Sequence, residues 1–153
     1  MGKNAPDADV DNLIGSTWGD QGGTTANGNW TPGAKGLQDP CPAGYRVPSS
    51  AEWVAVYTNN TASETGTFAS SNTNYGSALH YGTAGDPKQL TLPAAGYRGS
   101  TNGTLGGRGN EGDYWSSTEN GSSAYVLAFD SDDEYPASIG NRTLGFSLRC
   151  IAE

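Results

Sequence analysis

The stretch that decides how this chain is read runs from Asp113 to Cys150: DYWSSTENGSSAYVLAFDSDDEYPASIGNRTLGFSLRC. It opens on the block Tyr114-Trp115-Ser116-Ser117-Thr118 and closes on Gly145-Phe146-Ser147-Leu148-Arg149-Cys150. Both ends read as fixed structure. Asp113–Thr118 is expected to be a strand with aromatic anchors. Ala124–Phe129 is the most strand-like run in the chain, because β-branched and aromatic residues suit a pleated, half-buried surface. Leu144–Ile151 is expected to be the last strand, with Phe146, Leu148 and Cys150 on one face by the period-two rule. The rest of the stretch is polar, acidic and loop-like. A rigid frame carrying a permissive surface suits binding better than catalysis, since contact residues gather on loops that a scaffold positions.

Moving toward the N-terminus, Gly99–Gly112 is rich enough in glycine to be expected as a long loop. Pro93–Arg98 reads as extended. Gln89–Leu92 alternates with period two and is expected to return against a strand over Ala78–Gly82, with Thr83–Pro87 as the turn. Thr61–Asn74 is expected to be a Ser/Thr/Asn-rich surface connection. Before it lies the clearest local signal. Ser49-Ser50-Ala51-Glu52 fits a capping box, in which the Ser oxygen and the Glu carboxylate each satisfy a free amide of the first turn. Trp53, Val56 and Tyr57 follow at i, i+3 and i+4, so a short amphipathic helix ending near Asn59-Asn60 is expected, its apolar face toward the core. Pro40 and Pro42 around Cys41 fix an extended path, with Tyr45 and Val47 alternating as in a short strand. Trp18 and Trp30 are expected to pack into the domain while the glycines between them turn.

A chain of 153 residues is expected to form one domain, here over residues 13–153. Residues 1–12 are expected to be a flexible lead-in, with Met1 placed ahead of a longer natural sequence. Apolar residues make up 34 %, against 23 glycines, a balance that favours a loop-rich α+β fold with short strands and one or two helices. Aromatic residues spread along the chain argue against wholesale disorder. The net charge of −8 repels phosphate backbones and excludes nucleic acid as a partner class. No apolar run approaches the roughly 20 residues that cross a bilayer, so membrane insertion is not expected. No apolar signal-peptide segment is visible, so targeting does not set the location. Cys41 and Cys150 are spaced too far apart for a metal knuckle or a redox Cys-x-x-Cys pair. They read either as a disulfide closing a long loop, which implies an oxidising compartment, or as two unrelated buried thiols.

Chemistry is sparse. His80 is the one histidine, on an expected strand, with no nucleophile beside it. No catalytic residues and no cofactor are therefore expected. Asp130-Ser131-Asp132-Asp133-Glu134 is the one carboxylate cluster. A calcium site on Asp130, Asp132 and Glu134 is an alternative to a solvated acidic loop, because Ca²⁺ takes oxygen ligands. The run lacks the glycine and distal glutamate of an EF-hand, and the chain lacks a Glu-Pro-Asn or Gln-Pro-Asp block. The charge itself could steer a basic partner. Asn59, Asn102 and Asn141 each open an N-x-Thr sequon, read as incidental.

Four blocks in order carry a resemblance: DPCPAGYRVPSSAEW over residues 39–53, LTLPAAGYR over 90–98, YWSST over 114–118 and GFSLRC over 145–150. Together they resemble the FISUMP-type major paralogous domain of bacterial surface and secreted proteins, from about Trp30 to Cys150. That family is similar to the C-type lectin-like fold, shared by formylglycine-generating enzymes and by the variable proteins of diversity-generating retroelements. The resemblance implies a C-type lectin-like fold with its termini close together, a closure that a Cys41–Cys150 pair suits. The close cysteine pair of formylglycine-generating enzymes has no counterpart here, so the fold does not bring that activity.

The resemblance also implies a variable C-terminal surface. Substitution at adenines of an Asn codon reaches every residue type except Lys, Gln, Glu, Met and Trp, and between Asn120 and Arg142 only Glu134 falls outside that set. The expected contact residues are Glu119, Asn120, Ser122 and Ser123, then Tyr125 and Leu127, then Asp130, Asp132 and Asp133, then Tyr135, Ser138, Asn141 and Arg142. Tyr125 and Tyr135 supply amphipathic contact area, and Ser and Asn adaptable polar partners. Tyr125 as a core residue is the alternative. The Gly99–Gly112 loop is expected beside this face, with Trp115 and Phe146 beneath it. The function implied is a non-enzymatic binder of a protein or glycan, outside the cell, on the bacterial surface or on a phage particle. A fixed structural or adhesive surface module is the alternative. Oligomeric state is open.

Overall fold

Ser49 begins the one helix among the residues described by the computed structural model, which are 32–36, 39–100 and 103–153. The expected lead-in over residues 1–12, and the packing expected of Trp18 and Trp30, fall outside them. Both halves of the capping box form: the Ser49 hydroxyl accepts from the Glu52 amide, and the Glu52 carboxylate accepts from the Ser49 amide at 2.8 Å. Arg46 donates to both oxygens of the same carboxylate, at 2.7 and 2.5 Å. That bond, with help from Ser49, holds Glu52 down to a pKa of about 2. Helix α1, Ser50–Asn59, then buries Trp53 and packs Val56 against the same core, while Tyr57 stays largely exposed.

The strands are short and every ladder between them is antiparallel. They are β1 (Tyr45–Arg46), β2 (Ala62–Thr65), β3 (Ala78–Tyr81), β4 (Leu90–Pro93), β5 (Tyr97–Arg98), β6 (Leu105–Gly106), β7 (Gly112–Asn120), β8 (Ser123–Phe129), β9 (Glu134–Asn141) and β10 (Ile151–Ala152). They form four small sheets: β1–β10, β2–β3–β4, β5–β6 and β7–β8–β9. The result is a small mixed α+β domain with one helix and short antiparallel strands. No helix among the described residues is long and apolar enough to cross a membrane.

Cys41 and Cys150, 109 positions apart in sequence, are joined as a disulfide. A loop of that length makes the cross-link worth about 4–5 kcal/mol by chain entropy. Beside it β1 pairs with β10, Arg46 opposite Ile151, so the beginning of the described body and its end meet.

The β7–β8–β9 meander is covered on both faces. One side carries Tyr114, Leu127 and Phe129 into the main core with Trp53, Leu79, Tyr81, Leu92 and Ala94. Tyr114 stacks on Phe129 and meets Trp53 edge-on, both with centroids 6.3 Å apart. The other side carries Trp115 and Val126 against Phe146, whose ring centroid lies 4.6 Å from that of Trp115. A Cβ at Gly140 would stand 2.4 Å from the Phe146 ring, so β9 needs glycine there to approach.

Four expectations are corrected. Residues 130–142 are not loop-like, because β9 spans Glu134–Asn141 in register with β8. Thr61–Asn74 is not all coil: β2 pairs residue for residue with β3. The glycine-rich Gly99–Gly112 excursion contains β6, hydrogen-bonded to β5. Leu144–Ile151 is not one strand. Gly145 and Ser147 make isolated bridges to Arg98 and Tyr114, and regular pairing resumes only at β10. The segment follows the underside of the meander, where Phe146 must reach Trp115, and that path breaks a regular ladder.

Candidate functional site

The expected contact residues fall into three groups along the meander rather than on one face. The length of β8, seven residues, separates the two end groups by roughly 20 Å.

The first group sits at the β7–β8 turn. Asn120 pairs with Ser123, leaving Gly121 and Ser122 as the loop, and Gly121 takes φ 58°, a left-handed conformation that suits a tight hairpin. Ser123 is also opposite Asn141 on β9, so Glu119, Asn120, Ser122, Ser123, Asn141 and Arg142 converge. Arg142 organises them. Its Nε donates to the Ser123 carbonyl at 3.1 Å, and its Nη2 donates to the Gly121 carbonyl at 2.6 Å and lies 3.6 Å from Glu119 Oε1. Arg142 is thus a clasp on the hairpin backbone, a role that residue type and position alone did not reveal.

The second group is the β8–β9 turn. Asp130 Oδ1 accepts from the amides of Asp132 and Asp133 at 2.9 and 3.1 Å, an Asx-type turn. Asp132 and Asp133 are exposed, and the Tyr135 hydroxyl donates to Asp133 at 3.4 Å. The Asp133 carboxylate raises the Tyr135 phenol above its usual pKa. Glu134 is held differently: buried Tyr81 donates to it at 2.6 Å. Further carboxylates share this field. Burial raises Glu64, with Glu134, Asp130 and Asp132 adding to it, and burial raises Glu111, with Asp130 adding. Burial pushes Asp113 up to about 6, and Glu111 contributes.

Asp130, Asp132 and Glu134, the residues of the calcium alternative, are engaged in different ways in this turn. No group of three or more His, Cys, Asp or Glu residues stands close enough to hold a metal among the described residues. Asp130 is committed to backbone amides and Glu134 to Tyr81.

The third group, Tyr125, Leu127 and Ser138, lies between the ends. Leu127 is fully buried in the main core and is corrected as a contact residue. Tyr125 is half-buried opposite Ile139, and Ser138 is half-buried opposite Val126. Ile139, 60 % exposed, was not among the expected residues. The signal for it was present, because Tyr135, Ala137 and Ile139 alternate with period two. Pro136 obscured that signal. It sits in a bulge where Pro136 and Ala137 together oppose Leu127, the setting in which a strand tolerates proline.

The frame beneath these groups is made by the Tyr-Trp-Ser-Ser-Thr block. β7 bulges between Trp115 and Glu119. Within that bulge the Ser117 amide donates to the Pro48 carbonyl at 2.7 Å, and the Thr118 hydroxyl accepts from the Ser50 amide at 3.0 Å. Trp53 Nε1 donates to the Trp115 carbonyl at 3.2 Å. The start of α1 is thereby fixed to the sheet. His80 is held between hydroxyls, Thr65 on one ring nitrogen and Thr91 on the other, each at 2.9 Å.

Compared with known proteins, the chain matches no family model, no curated protein and no solved structure.

Proposed function

We propose that this chain is a non-enzymatic ligand-binding domain with a C-type lectin-like fold, a variable protein of a diversity-generating retroelement that presents its C-terminal meander to a protein or glycan. The observation that carries this reading is the division of roles along β7, β8 and β9. Trp115, Val126, Leu127 and Phe129 are buried, whereas Ser122, Asp132, Asp133, Tyr135 and Asn141 stand at the surface. Substitution at such exposed positions usually stays within about 0.5 kcal/mol. Glu134 fits the same scheme: the one residue in the segment that adenine substitution in an Asn codon does not reach is tethered to the core by Tyr81. The meeting of β1 and β10 beside the disulfide supports the lectin-like fold. The disulfide itself favours an oxidising location, outside the cell, on its surface or on a phage particle.

A fixed structural or adhesive surface module is the second reading. Arg142 and Asp130 favour it, because both hold backbone groups and would be poor choices for random replacement. The DNA flanking the gene separates the two. A near-copy of the segment encoding Trp115–Arg149, differing at adenines and lying next to a reverse transcriptase, is the expected result. If a completed flanking sequence holds no such copy, the fixed module stands instead.

A further inference from the structure

We propose that the outer edge of β9 takes up an extended segment of a basic partner protein as a fourth strand of the meander. β9 is the terminal strand of its sheet: α1 packs close to it and its Asn141 carbonyl accepts from the Leu144 amide at 3.0 Å, but no strand among the described residues pairs with its outer side. The opposite margin is different: β7 is covered by bridges from Gly96 and Ser147. An uncovered strand edge is a row of free donors and acceptors, and it recruits another strand unless it is blocked. Here Pro136 and its bulge block only the beginning. From Ser138 to Asn141 the register with β8 is regular, and within this stretch stands Ile139, 60 % exposed. Backbone pairing along Ser138–Asn141 would cover that side chain.

Charge selects the occupant. The turn leading into β9 carries Asp130, Asp132 and Asp133, and no cation forms an ion pair with them among the described residues. A second copy of the chain would bring together two bodies of net charge −8, so self-pairing is disfavoured. A segment with Lys or Arg next to its pairing residues meets an attractive field instead. This inference concerns backbone pairing and stands independently of whether the surface side chains are diversified.

The test uses the whole chain and three synthetic peptides. One alternates Val and Thr with lysines at both ends. The second replaces the lysines by glutamate. The third carries the lysines and N-methyl groups on alternate backbone amides. The lysine peptide is expected to bind roughly tenfold more tightly than the glutamate peptide at low salt. It is expected to slow amide exchange within Ser138–Asn141, and N-methylation is expected to abolish both effects. D132N/D133N should weaken binding about threefold with unchanged protection of the meander core. Failure of the lysine peptide to bind, equal binding of the methylated peptide, or protection confined to another part of the chain would each overturn the proposal. So would a dimer that protects β9 without peptide. None of these results bears on the flanking DNA, so failure here leaves the variable-surface reading intact.

Discussion

The two ends of the meander are built from opposite economies of charge. At the β7–β8 end one guanidinium, Arg142, satisfies two hairpin carbonyls and faces Glu119. At the β8–β9 end Asp130, Asp132 and Asp133 gather without a cation among the described residues, and Glu64 and Glu111 feel their field. One end is locked by its own side chains and the other is left with unspent charge. Locked polar groups offer little to a ligand, because their hydrogen bonds are already made. A binding role therefore weighs toward the acidic end and the β9 edge that leaves it, and the hairpin end acts as the clamp that keeps the strands in register.

The strongest way to break this comparison lies between the ends. Leu127 connects them and has no exposure, so Leu127→Ala should cost about 3 kcal/mol through lost burial and the cavity left behind. Urea unfolding gives the number directly. A cost below about 0.5 kcal/mol would mean that Leu127 is a surface residue after all, and that the three groups form one face.

What could be read in advance follows from how local each feature is. The capping box at Ser49–Glu52 and the alternation of Leu90–Leu92 are short-range patterns, and both elements form where the sequence put them. β2 carries one apolar residue, Ala62, in its four, so nothing in the run itself marks a strand, and only pairing with β3 makes it one. β9 was hidden by Pro136 and by the acidic turn before it, although its alternation was legible. Leu127 departs from the expected contact set because β8 is covered on both sides, so its alternate positions do not face solvent. The adjacent buried pair Val126-Leu127 is the sign of such double cover. The clasp of Arg142 depends on backbone carbonyls of a different strand, and no pattern in the sequence gives their direction.

Arg142→Ala is the next largest effect and tests the locked end. The part-buried Ser123 carbonyl and the exposed Gly121 carbonyl lose their donor and Glu119 loses a cation, which should cost about 1 kcal/mol. Amide exchange should rise first at Gly121–Ser123. Arg142→Lys should recover less than half, since one ammonium does not reproduce the fork that reaches both carbonyls.

The pH response distinguishes the acidic side from the helix start. Asp113 is raised by burial to about 6 from 3.8, so the folded state retains a proton that the unfolded chain loses earlier. Its contribution is present below 3.8 and is lost as the pH rises through 6. Glu52 runs the other way. Held at about 2 by Arg46, it contributes above 4.5 and its contribution fades as the pH falls toward 2. The melting temperature should fall by a few degrees between mildly acid and neutral pH, and Asp113→Asn should remove most of that fall. Glu52→Gln should instead remove part of the loss at low pH. Unchanged profiles in both variants would show that these two carboxylates do not set the pH response.

The smallest effect is the most specific to the unspent charge. Asp132 and Asp133 are exposed, and their side chains are not what closes the turn, which Asp130 holds. Replacing both by asparagine should raise stability by about 0.3 kcal/mol at low ionic strength, because like charges repel across the turn. The gain should vanish at roughly 0.5 M salt, where the screening length falls to about 4 Å. Asp130→Asn keeps an oxygen that can accept from the same amides and should be near neutral. Asp130→Ala removes that oxygen and should lower stability by about 1 kcal/mol at any salt concentration. The contrast separates two kinds of carboxylate in one short turn, one that holds backbone amides and two that present charge while accepting only from the exposed hydroxyls of Ser131 and Tyr135. Only the latter pair is free to be exchanged for whatever a partner requires.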